Sequence, residues 1–201
     1  MMKTLVLVAH PTMEISRVNA AWAAAFAACP DVTVHDLAAT YPEMDIDVIA
    51  EQKLLLDHDR IIFQFPLYWY SSPAILKQWQ DLVLAPGFAY AGAHRLEGKE
   101  FMVATSIGAT EEDYRAGGHN HFSVDELLRP FQQTVNYLRG RYLTPFLFYR
   151  SIAAENDELA QSARDLLAHA LNMDIDPERD HEIFTQDSLQ KMFARLSAAA
   201  E

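Results

Sequence analysis

The sequence predicts an α/β fold in which a parallel sheet is covered by helices on both faces. Two observations carry this prediction. Five short apolar runs of strand-like composition alternate with segments whose apolar residues recur at helical spacing. The runs are also apolar on both faces of a strand, which is typical of parallel strands buried between two helical layers.

The predicted strands are the apolar runs that end at polar or turn-forming residues. They are rich in β-branched and aromatic side chains, which favour a buried sheet. The five strands are Thr4–Val8, Val32–His35, Arg60–Phe65, Phe101–Thr105 and Tyr142–Phe148.

The predicted helices lie between these strands and after the last one. They are Arg17–Ala28, Ile46–Asp57, Ala74–Leu84, Val124–Leu138 and Asp157–Leu171. Because strand and helix alternate, successive strands should be parallel and joined by right-handed crossovers. Five such units predict a flavodoxin-like three-layer α/β sandwich with a five-stranded parallel sheet in the order 2-1-3-4-5.

We expect residues 1–201 to form a single flavodoxin-like domain with its core at about residues 3–171. Two segments exceed a minimal domain of this type. The first is the loop at residues 85–99. The second is a C-terminal extension at residues 172–201, which reads as an acidic stretch followed by a short helix at 188–199. Both could cover a neighbouring subunit, so the expected assembly is a homodimer.

Composition narrows the classes of partner. The formal net charge is -12, and no run of Lys and Arg occurs. Phosphate backbones are bound by clustered basic residues, so a nucleic-acid partner is excluded. The chain has 50% hydrophobic residues, enough for one sizeable core. A small molecule or a protein is therefore the expected partner.

The sequence also carries signals of location. The longest apolar runs, such as Ala20–Ala28 and Ile61–Phe65, are shorter than the ~20 residues that cross a bilayer. The apolar stretch after Lys3 ends at His10-Pro11, too early for a signal peptide. Cys29 is the single cysteine, so no internal disulfide can form. We therefore expect a cytoplasmic protein.

The loop after the first strand could bind a phosphate. Ser16 is placed to cap the following helix, whose free N–H groups and positive dipole end favour anions. His10, Asn19 and Arg17 add donors or charge. The simpler alternative is that Ser16 only caps the helix and His10 only closes a turn. No glycine-rich dinucleotide fingerprint follows the strand, which disfavours a Rossmann site.

Three consecutive aromatic residues, Tyr68-Trp69-Tyr70, follow the third strand and Pro66. In a parallel α/β sheet this connection lies at the ligand-binding edge. Ser72 and Pro73 suit a helix start. Exposed aromatics at such a place would give a planar ligand a stacking wall. The alternative, that the three rings pack on their own loop, is equally consistent with the sequence.

The loop after the fourth strand, Thr105–Thr110, can present backbone groups to the same ligand, and residues 111–121 are long enough to overhang it. Tyr114 and His119 are the groups there that can pass or hold a proton. His119 and His121 could also be a metal pair. No cysteine lies nearby, so solvent-facing histidines are the better interpretation and no metal is expected.

At this point the chain resembles a known family. Residues Phe65–Trp79 read Phe-Pro-Leu-Tyr-Trp-Tyr-Ser-Ser-Pro-Ala-Ile-Leu-Lys-Gln-Trp, close to Pro-Leu/Met-x-Trp-Tyr/Phe-x-x-Pro-x-x-Leu-Lys-x-Trp. That pattern is found in the flavodoxin-like NAD(P)H:quinone oxidoreductases, which include DT-diaphorase and the ancillary reductases of glutathione-gated potassium efflux systems. Ala9-His10-Pro11 with Ser16 and Asn19 is similar to the family's first flavin loop. Asp45-Ile46-Asp47 with Ala50-Glu51-Gln52 resembles a further shared segment.

The resemblance implies the cofactor-binding residues. The phosphate end of the flavin would be held by His10, Ser16, Arg17, Val18 and Asn19, and the ring would be lined by Pro66, Leu67, Tyr68, Trp69, Tyr70, Thr105, Ser106, Ile107 and Gly108. Family members carry Thr-Thr-Gly-Gly where this chain has Thr105–Gly108. Ile107 thus places a side chain where backbone normally approaches the flavin.

The resemblance also implies an activity. FMN would be the cofactor, since the short chain is less like the FAD-binding members, and NADPH or NADH the co-substrate. NAD(P)H would give hydride to flavin N5 and leave, and a quinone or similar planar acceptor would take the hydride in a ping-pong exchange. Tyr114 and His119 would be the catalytic residues. The alternative function is a regulatory ancillary subunit of a glutathione-gated potassium efflux transporter, peripheral at the inner face of the membrane.

Overall fold

The computed structural model describes residues 2–175 and Gln190. Its sheet is built from the strands β1 Thr4–Val8, β2 Val32–Asp36, β3 Arg60–Pro66, β4 Glu100–Ser106, β5 Arg141–Tyr142 and β6 Phe146–Phe148. The strand order is β2-β1-β3-β4-β5, with β6 also paired to β4. Every pairing between these six strands is parallel. The predicted fold class and strand order are confirmed.

The fifth predicted strand was wrong in one respect, because Tyr142–Phe148 is two short strands. Tyr142 pairs with Phe101, whereas Phe146 pairs with Ala104. The segment therefore gains one residue relative to β4, as in a bulge. Pro145 lies at this break, and a proline has no N–H for the ladder.

Residues 2–175 form seven α-helices: α1 Arg17–Ala27, α2 Leu37–Thr40, α3 Val48–Asp57, α4 Ala74–Val83, α5 Val124–Leu127, α6 Arg129–Tyr137 and α7 Asn156–Ala170. Two short 3-10 helices lie at Met13–Ile15 and Glu111–Asp113. The short α2 was not predicted. The predicted helix Val124–Leu138 is two helices that meet at Leu128, where Pro130 occupies the first turn of α6. Asp47 caps α3 through Ile49 and Ala50 N–H, which delays the helix start from the predicted Ile46.

Tryptophans from two helices cover opposite faces of the sheet. Trp22 of α1 packs its ring edge-on against Phe146 and Phe148, with centroids 5.5 and 6.1 Å away. Trp79 of α4 packs against Phe63 of β3 at 6.0 Å. Both indoles are fully buried. The three layers therefore meet around large aromatic side chains, which supply much of the apolar burial.

An ion pair fixes the end of the sheet at which the parallel strands begin. The buried Arg60 guanidinium donates through Nε to Glu100 Oε2 at 2.8 Å and through Nη1 to the Ala170 carbonyl at 2.5 Å. The last turn of α7 is thereby tied to β3. The last carbonyls of an α-helix have no partner within the helix, and a cationic side chain can satisfy them.

The chain divides into a unit of residues 1–171 and a second unit of residues 172–201. The helix predicted at 188–199 lies outside the described residues apart from Gln190. Among the described helices, none combines the length and apolar character that crossing a membrane requires.

Candidate active site

Three loops meet at the edge of the sheet where β1, β3 and β4 end, called here the carboxyl edge. The Ala9 N–H donates to the Gln64 carbonyl at 2.8 Å, and the Leu67 N–H donates to the Ser106 carbonyl at 2.9 Å. Asn19 of α1 donates through Nδ2 to Ser106 Oγ at 3.1 Å. The loops that the sequence singled out are therefore brought together, at the place where open α/β sheets bind ligands.

The N-terminus of α1 has the donors that an anion would need at this edge, and we call it the candidate anion site. Ser16 Oγ accepts from the Asn19 N–H at 3.2 Å and caps the helix. The N–H groups of Arg17 and Val18 have no carbonyl one turn before them within the helix, and they lie at its positive dipole end. The exposed Arg17 guanidinium is held near α7 by a bond from Nη2 to Asn156 Oδ1 of 3.1 Å. A phosphate would meet backbone donors and one cation here.

His10 is a neutral donor beside this site. The side chain is buried, and its Nδ1 accepts from the Thr12 N–H at 3.1 Å. Burial lowers the pKa of His10, and this outweighs the opposing effect of the Asp36 carboxylate. With Nδ1 acting as an acceptor, the proton is on Nε2. His10 can therefore donate one hydrogen bond to an anion without carrying charge itself.

Residues 68–71 form a tight turn with two aromatic side chains at its tip, called here the aromatic turn. Tyr68 and Ser71 exchange two backbone hydrogen bonds of 2.9 and 3.0 Å. Trp69 and Tyr70 have φ angles of 48° and 63°, as a two-residue turn with positive φ at both central positions requires. Neither residue is glycine or asparagine, so each conformation costs about 1–3 kcal/mol.

The strained tip presents aromatic surface to solvent. The Trp69 side chain is 92% exposed, and Tyr68 and Tyr70 are about half exposed. Tyr70 donates its hydroxyl hydrogen to Asn120 Oδ1 at 3.1 Å, and the Tyr68 ring lies 6.1 Å from the His10 ring. The alternative that the three rings pack on their own loop is wrong. Pro66 is buried at the end of β3, and Leu67 packs against the core.

Tyr114 is partly buried, whereas His119 is exposed. The Tyr114 ring packs 6.2 Å from the ring of Tyr149, and burial together with the neighbouring Tyr70 raises its pKa. Burial likewise raises the pKa of Tyr149 to about 12. Both phenols therefore keep their protons at neutral pH. His119 exerts an electrostatic effect on Asp113, whose pKa is lowered mainly by hydrogen bonds from Thr110.

The segment after β4 is fixed by backbone hydrogen bonds to β6 and to the loop after it. The Ile107 side chain is fully buried in the core, its N–H donates to the Phe148 carbonyl at 2.8 Å, and its carbonyl accepts from Ser151 N–H at 2.9 Å. The expectation that this side chain would intrude where the flavin approaches is wrong. Gly108 is exposed, and a Cβ there would meet Ile152 Cδ1 at 2.9 Å. Glycine keeps that approach open.

Three buried side-chain oxygens near this edge have no hydrogen-bond partner among the described residues, and they would suit a ligand with hydroxyl groups. Asn19 Oδ1, Gln64 Oε1 and Thr105 Oγ1 are buried without a hydrogen-bond partner in the structure. Such groups normally have one. Asn19 and Gln64 adjoin the candidate anion site, because Gln64 Nε2 donates to the Asn19 carbonyl at 2.9 Å. A phosphate ester with several hydroxyl donors supplies the missing kind of group.

Two cavities flank the aromatic turn. One, of about 780 Å³, lies between α4 and α6 beside Ser71 and Tyr137. The other, of about 340 Å³, lies between Pro11 and the start of α4 at Pro73. The residues of the candidate anion site line neither of them. A ligand that spans from α1 to the aromatic turn would therefore lie on an open surface.

Several residues at this edge were missed from the sequence. Asn120 binds Tyr70, Tyr149 packs on Tyr114, and Ser151 binds Ile107. Two of these belong to the loop after β6, in which no site residue was predicted from the sequence. The sequence does indicate this loop, because polar residues follow the apolar run Phe146–Phe148 as they follow the other strands. Within the described residues, no group of three or more His, Cys, Asp or Glu side chains could hold a metal.

Comparison with known proteins assigns the family. A family model described as flavodoxin-like fold matches residues 2–170. A Bacillus subtilis protein named uncharacterized NAD(P)H oxidoreductase YdeQ is 49% identical over 178 residues, covering 88% of this chain and 90% of that protein. The potassium-efflux ancillary protein KefG of Cronobacter sakazakii is 43% identical over 163 residues, covering 81% and 89%.

Two solved structures agree with this assignment. General stress protein 14 of Treponema denticola, in complex with FMN, has a TM-score of 0.79 at 46% identity and covers 83% of this chain and 96% of its own. An NADPH-quinone reductase of P. pentosaceus has a TM-score of 0.79 at 37% identity, covering 86% and 99%. A third structure shares the fold but is described by a different activity, as a thermophilic tryptophan halogenase from Streptomycin violaceusniger; it has a TM-score of 0.82 at 53% identity, covering 84% and 98%.

The fold and site thus define a flavodoxin-like protein with an open ligand edge. The chain belongs to the flavodoxin-like family, among relatives that include NAD(P)H oxidoreductases and quinone reductases.

Proposed function

We propose that the protein is an FMN-dependent NAD(P)H:quinone oxidoreductase whose flavin binds at the carboxyl edge. The observation that carries this proposal is the pairing of the candidate anion site with an exposed aromatic wall on one sheet edge. FMN has a phosphate at one end and a planar ring at the other, so it matches both parts. The related protein from Treponema denticola was solved with FMN.

The phosphate end would be held by donors that point to one helix start. His10 would donate through Nε2, and the backbone N–H groups of Arg17 and Val18 would donate along the helix axis. Arg17 would add its charge, and its guanidinium is positioned by the bond to Asn156. Ser16 and Asn19 would keep the first turn in place.

The ring would lie against the aromatic turn and the segment after β4. The backbone of Leu67 is fixed to Ser106 by a 2.9 Å bond, so these two walls hold a constant separation. Fixed walls favour a planar ligand because little conformational entropy is lost on binding. The lining residues would be Pro66, Leu67, Tyr68, Trp69, Tyr70, Thr105, Ser106, Ile107 and Gly108, with Ile107 contributing by positioning its neighbours.

When bound, FMN supplies hydride acceptance from NAD(P)H and hydride donation to a second planar molecule. The residues of the chain orient these molecules and hold protons. We expect a nicotinamide and a quinone to stack in turn beside the exposed aromatic turn, in a ping-pong exchange. Tyr114 keeps its phenol proton at neutral pH and can donate it to an acceptor oxygen. His119 adds an exposed imidazole on the same loop.

The spectrum of the purified protein tests the central claim. We expect a yellow protein that releases FMN on denaturation and whose colour bleaches with NADPH or NADH and returns with a quinone. Failure of the apoprotein to bind added FMN would overturn the proposal. His119→Gln should slow one half-reaction in stopped-flow measurements while FMN stays bound; unchanged rates would remove His119 from the mechanism.

A second candidate function is favoured by the 43% identity to KefG. In this alternative the protein is a regulatory subunit that docks on a potassium efflux transporter at the inner face of the membrane. Co-purification with such a transporter from native membranes, retained by a variant that does not bind FMN, would support it. A chain that stays in the soluble fraction and elutes alone would contradict it.

A further inference from the structure

A fully buried carboxylate lies between three helices on the side of the sheet that carries α4. Glu51 has no exposed surface, and it accepts three hydrogen bonds. His35 Nε2 lies 2.7 Å from Oε1, and the Tyr41 hydroxyl donates to the same oxygen at 2.6 Å. The indole N–H of Trp79 donates to Oε2 at 2.7 Å. Glu51 Oε2 is thus bonded to α4 through Trp79.

None of these contacts involves the residues that would hold the flavin. The Ala50-Glu51-Gln52 segment resembles the family pattern, yet the proposed function assigns it no role. A buried carboxylate is costly unless it is fully hydrogen-bonded. Here it is satisfied by donors from β2, from the residue after α2, and from α4. The arrangement fixes α4 relative to two other elements.

The helix that Glu51 holds begins directly after the aromatic turn. Pro73 precedes α4, and Ile75 and Leu76 in its first turn are buried. Trp79 lies one turn further on and packs against Phe63 of β3. A helix is rigid over this distance, so the position of Trp79 fixes where the helix starts. The start of the helix fixes the end of the strained turn.

We propose that Glu51 is a positioning residue for the aromatic turn. Through Trp79 it sets the start of α4 and thereby the orientation of Trp69. This inference rests on the proposed function, in which that turn lines the flavin. It assigns a role at the cofactor site to a buried carboxylate whose own bonds go to His35, Tyr41 and Trp79.

The other bonds along α4 decide what loss of Glu51 would do. Gln78 Nε2 donates to the Met44 carbonyl at 2.7 Å, and Gln52 Nε2 donates to the Val83 carbonyl at 2.9 Å. Both remain when Glu51 is replaced. The helix therefore stays folded and attached, and the expected change is a shift in its axis and in the turn before it.

The chemistry of the donors separates two substitutions. An indole N–H can only donate, whereas a hydroxyl and a neutral imidazole can also accept. In Glu51→Gln the amide carbonyl can face Trp79 while its NH₂ group donates to Tyr41 and His35. In Glu51→Leu the Trp79 N–H loses its acceptor. The glutamine variant should therefore keep the turn in place, and the leucine variant should not.

The test uses the three tryptophans of the chain, Trp22, Trp69 and Trp79. Biosynthetic fluorotryptophan gives one ¹⁹F resonance for each, assigned by single Trp→Phe variants. In the apoprotein Glu51→Leu should shift the Trp79 and Trp69 resonances and leave Trp22 unchanged, and Glu51→Gln should return Trp69 to its wild-type position. The dissociation constant for added FMN should rise about tenfold in Glu51→Leu, equivalent to ~1.4 kcal/mol, and recover in Glu51→Gln.

The matched control removes the acceptor of the other buried indole. Trp22 Nε1 donates to Ser162 Oγ at 3.0 Å on the opposite face of the sheet. Ser162→Ala should shift Trp22 alone and leave both Trp69 and FMN affinity unchanged. This control separates general loosening of the core from a movement of the aromatic turn.

The remaining outcomes are also decisive. A Trp69 resonance that stays at its wild-type position in Glu51→Leu overturns the proposal and leaves Glu51 a purely structural residue. If that variant does not fold, Trp79→Phe removes the same bond, and the Trp69 signal there decides in the same way. If wild-type protein binds no FMN but Trp69 still shifts, the positioning role stands and the proposed function fails.

Discussion

At the scale of single residues, burial determines which groups at the carboxyl edge can carry a proton. Burial raises the pKa of Tyr114 and lowers that of His10. At neutral pH the phenol is therefore protonated and the imidazole is uncharged. Both act as hydrogen-bond donors, in the flavin site that we propose, without adding charge to it. The positive charge at the phosphate end would come from Arg17 and the α1 dipole.

Tyr114→Phe is expected to slow reduction of a quinone by about 100-fold, the usual size of a lost proton donor, with FMN affinity unchanged. Because the pKa of Tyr114 lies above its ordinary value of 10.0, the wild-type rate should show no loss attributable to this phenol between pH 6 and about pH 9. Stopped-flow measurement of the oxidative half-reaction tests both points. Tyr149→Phe is the control, since it removes a partly buried phenol whose ring packs on Tyr114; an equal loss there would contradict a specific role.

His10 should make the apoprotein acid-sensitive. Its imidazole pKa is lowered from 6.5 on folding, so below about pH 6.5 the unfolded chain binds more protons than the folded one. Stability therefore falls as the pH drops through this value. In His10→Gln the decrease in melting temperature between about pH 7 and pH 5 should be smaller. His121→Gln, at an exposed loop position, should match the wild type. Thermal denaturation in phosphate-free buffer measures the difference.

At the scale of elements, the sequence predicted what depends on local pattern. Strands β1 to β4 and helices α1, α4 and α7 were predicted to within a few residues, because apolar periodicity defines them. The break at Pro145 was missed although its signal is local, because a proline within an apolar run disfavours one continuous strand. The side to which Ile107 points was also missed. It depends on the pairing of Ile107 with Phe148, 41 positions later in the chain, and no local pattern encodes that contact.

Contacts between elements also explain stability away from the site. Gln52 of α3 donates to the Val83 carbonyl at 2.9 Å and so satisfies the C-terminal end of α4. Gln52→Ala should lower the free energy of unfolding by about 1 kcal/mol, the typical value of one such bond. Gln161→Ala on the exposed face of α7 is the control and should cost less. Urea denaturation followed by circular dichroism measures both; equal losses would contradict the assigned role.

At the scale of the whole molecule, the exposed apolar side chains around the open carboxyl edge indicate a protein interface. We call these side chains the apolar rim: Ile15, Trp69, Phe122 and Ile152. They belong to the loops after β1, β3, β4 and β6. Apolar side chains gathered around a ligand edge are typical of interaction surfaces. A second copy of the chain seated on the rim would shield a bound flavin from water.

The apolar rim therefore predicts that the chain forms a homodimer, and that one charged substitution in the rim dissociates it. Ile152 is 82% exposed in the loop after β6, so Ile152→Asp should not perturb the fold of one subunit but should place a carboxylate in the dimer interface. We expect sedimentation velocity to show dimer for the wild type and monomer for this variant at micromolar concentration. Ile49→Asp, at a position 76% exposed on α3 and away from the rim, should remain dimeric. A wild type that sediments as a monomer would contradict the prediction. If both variants dissociate, the interface includes α3 and extends beyond the rim.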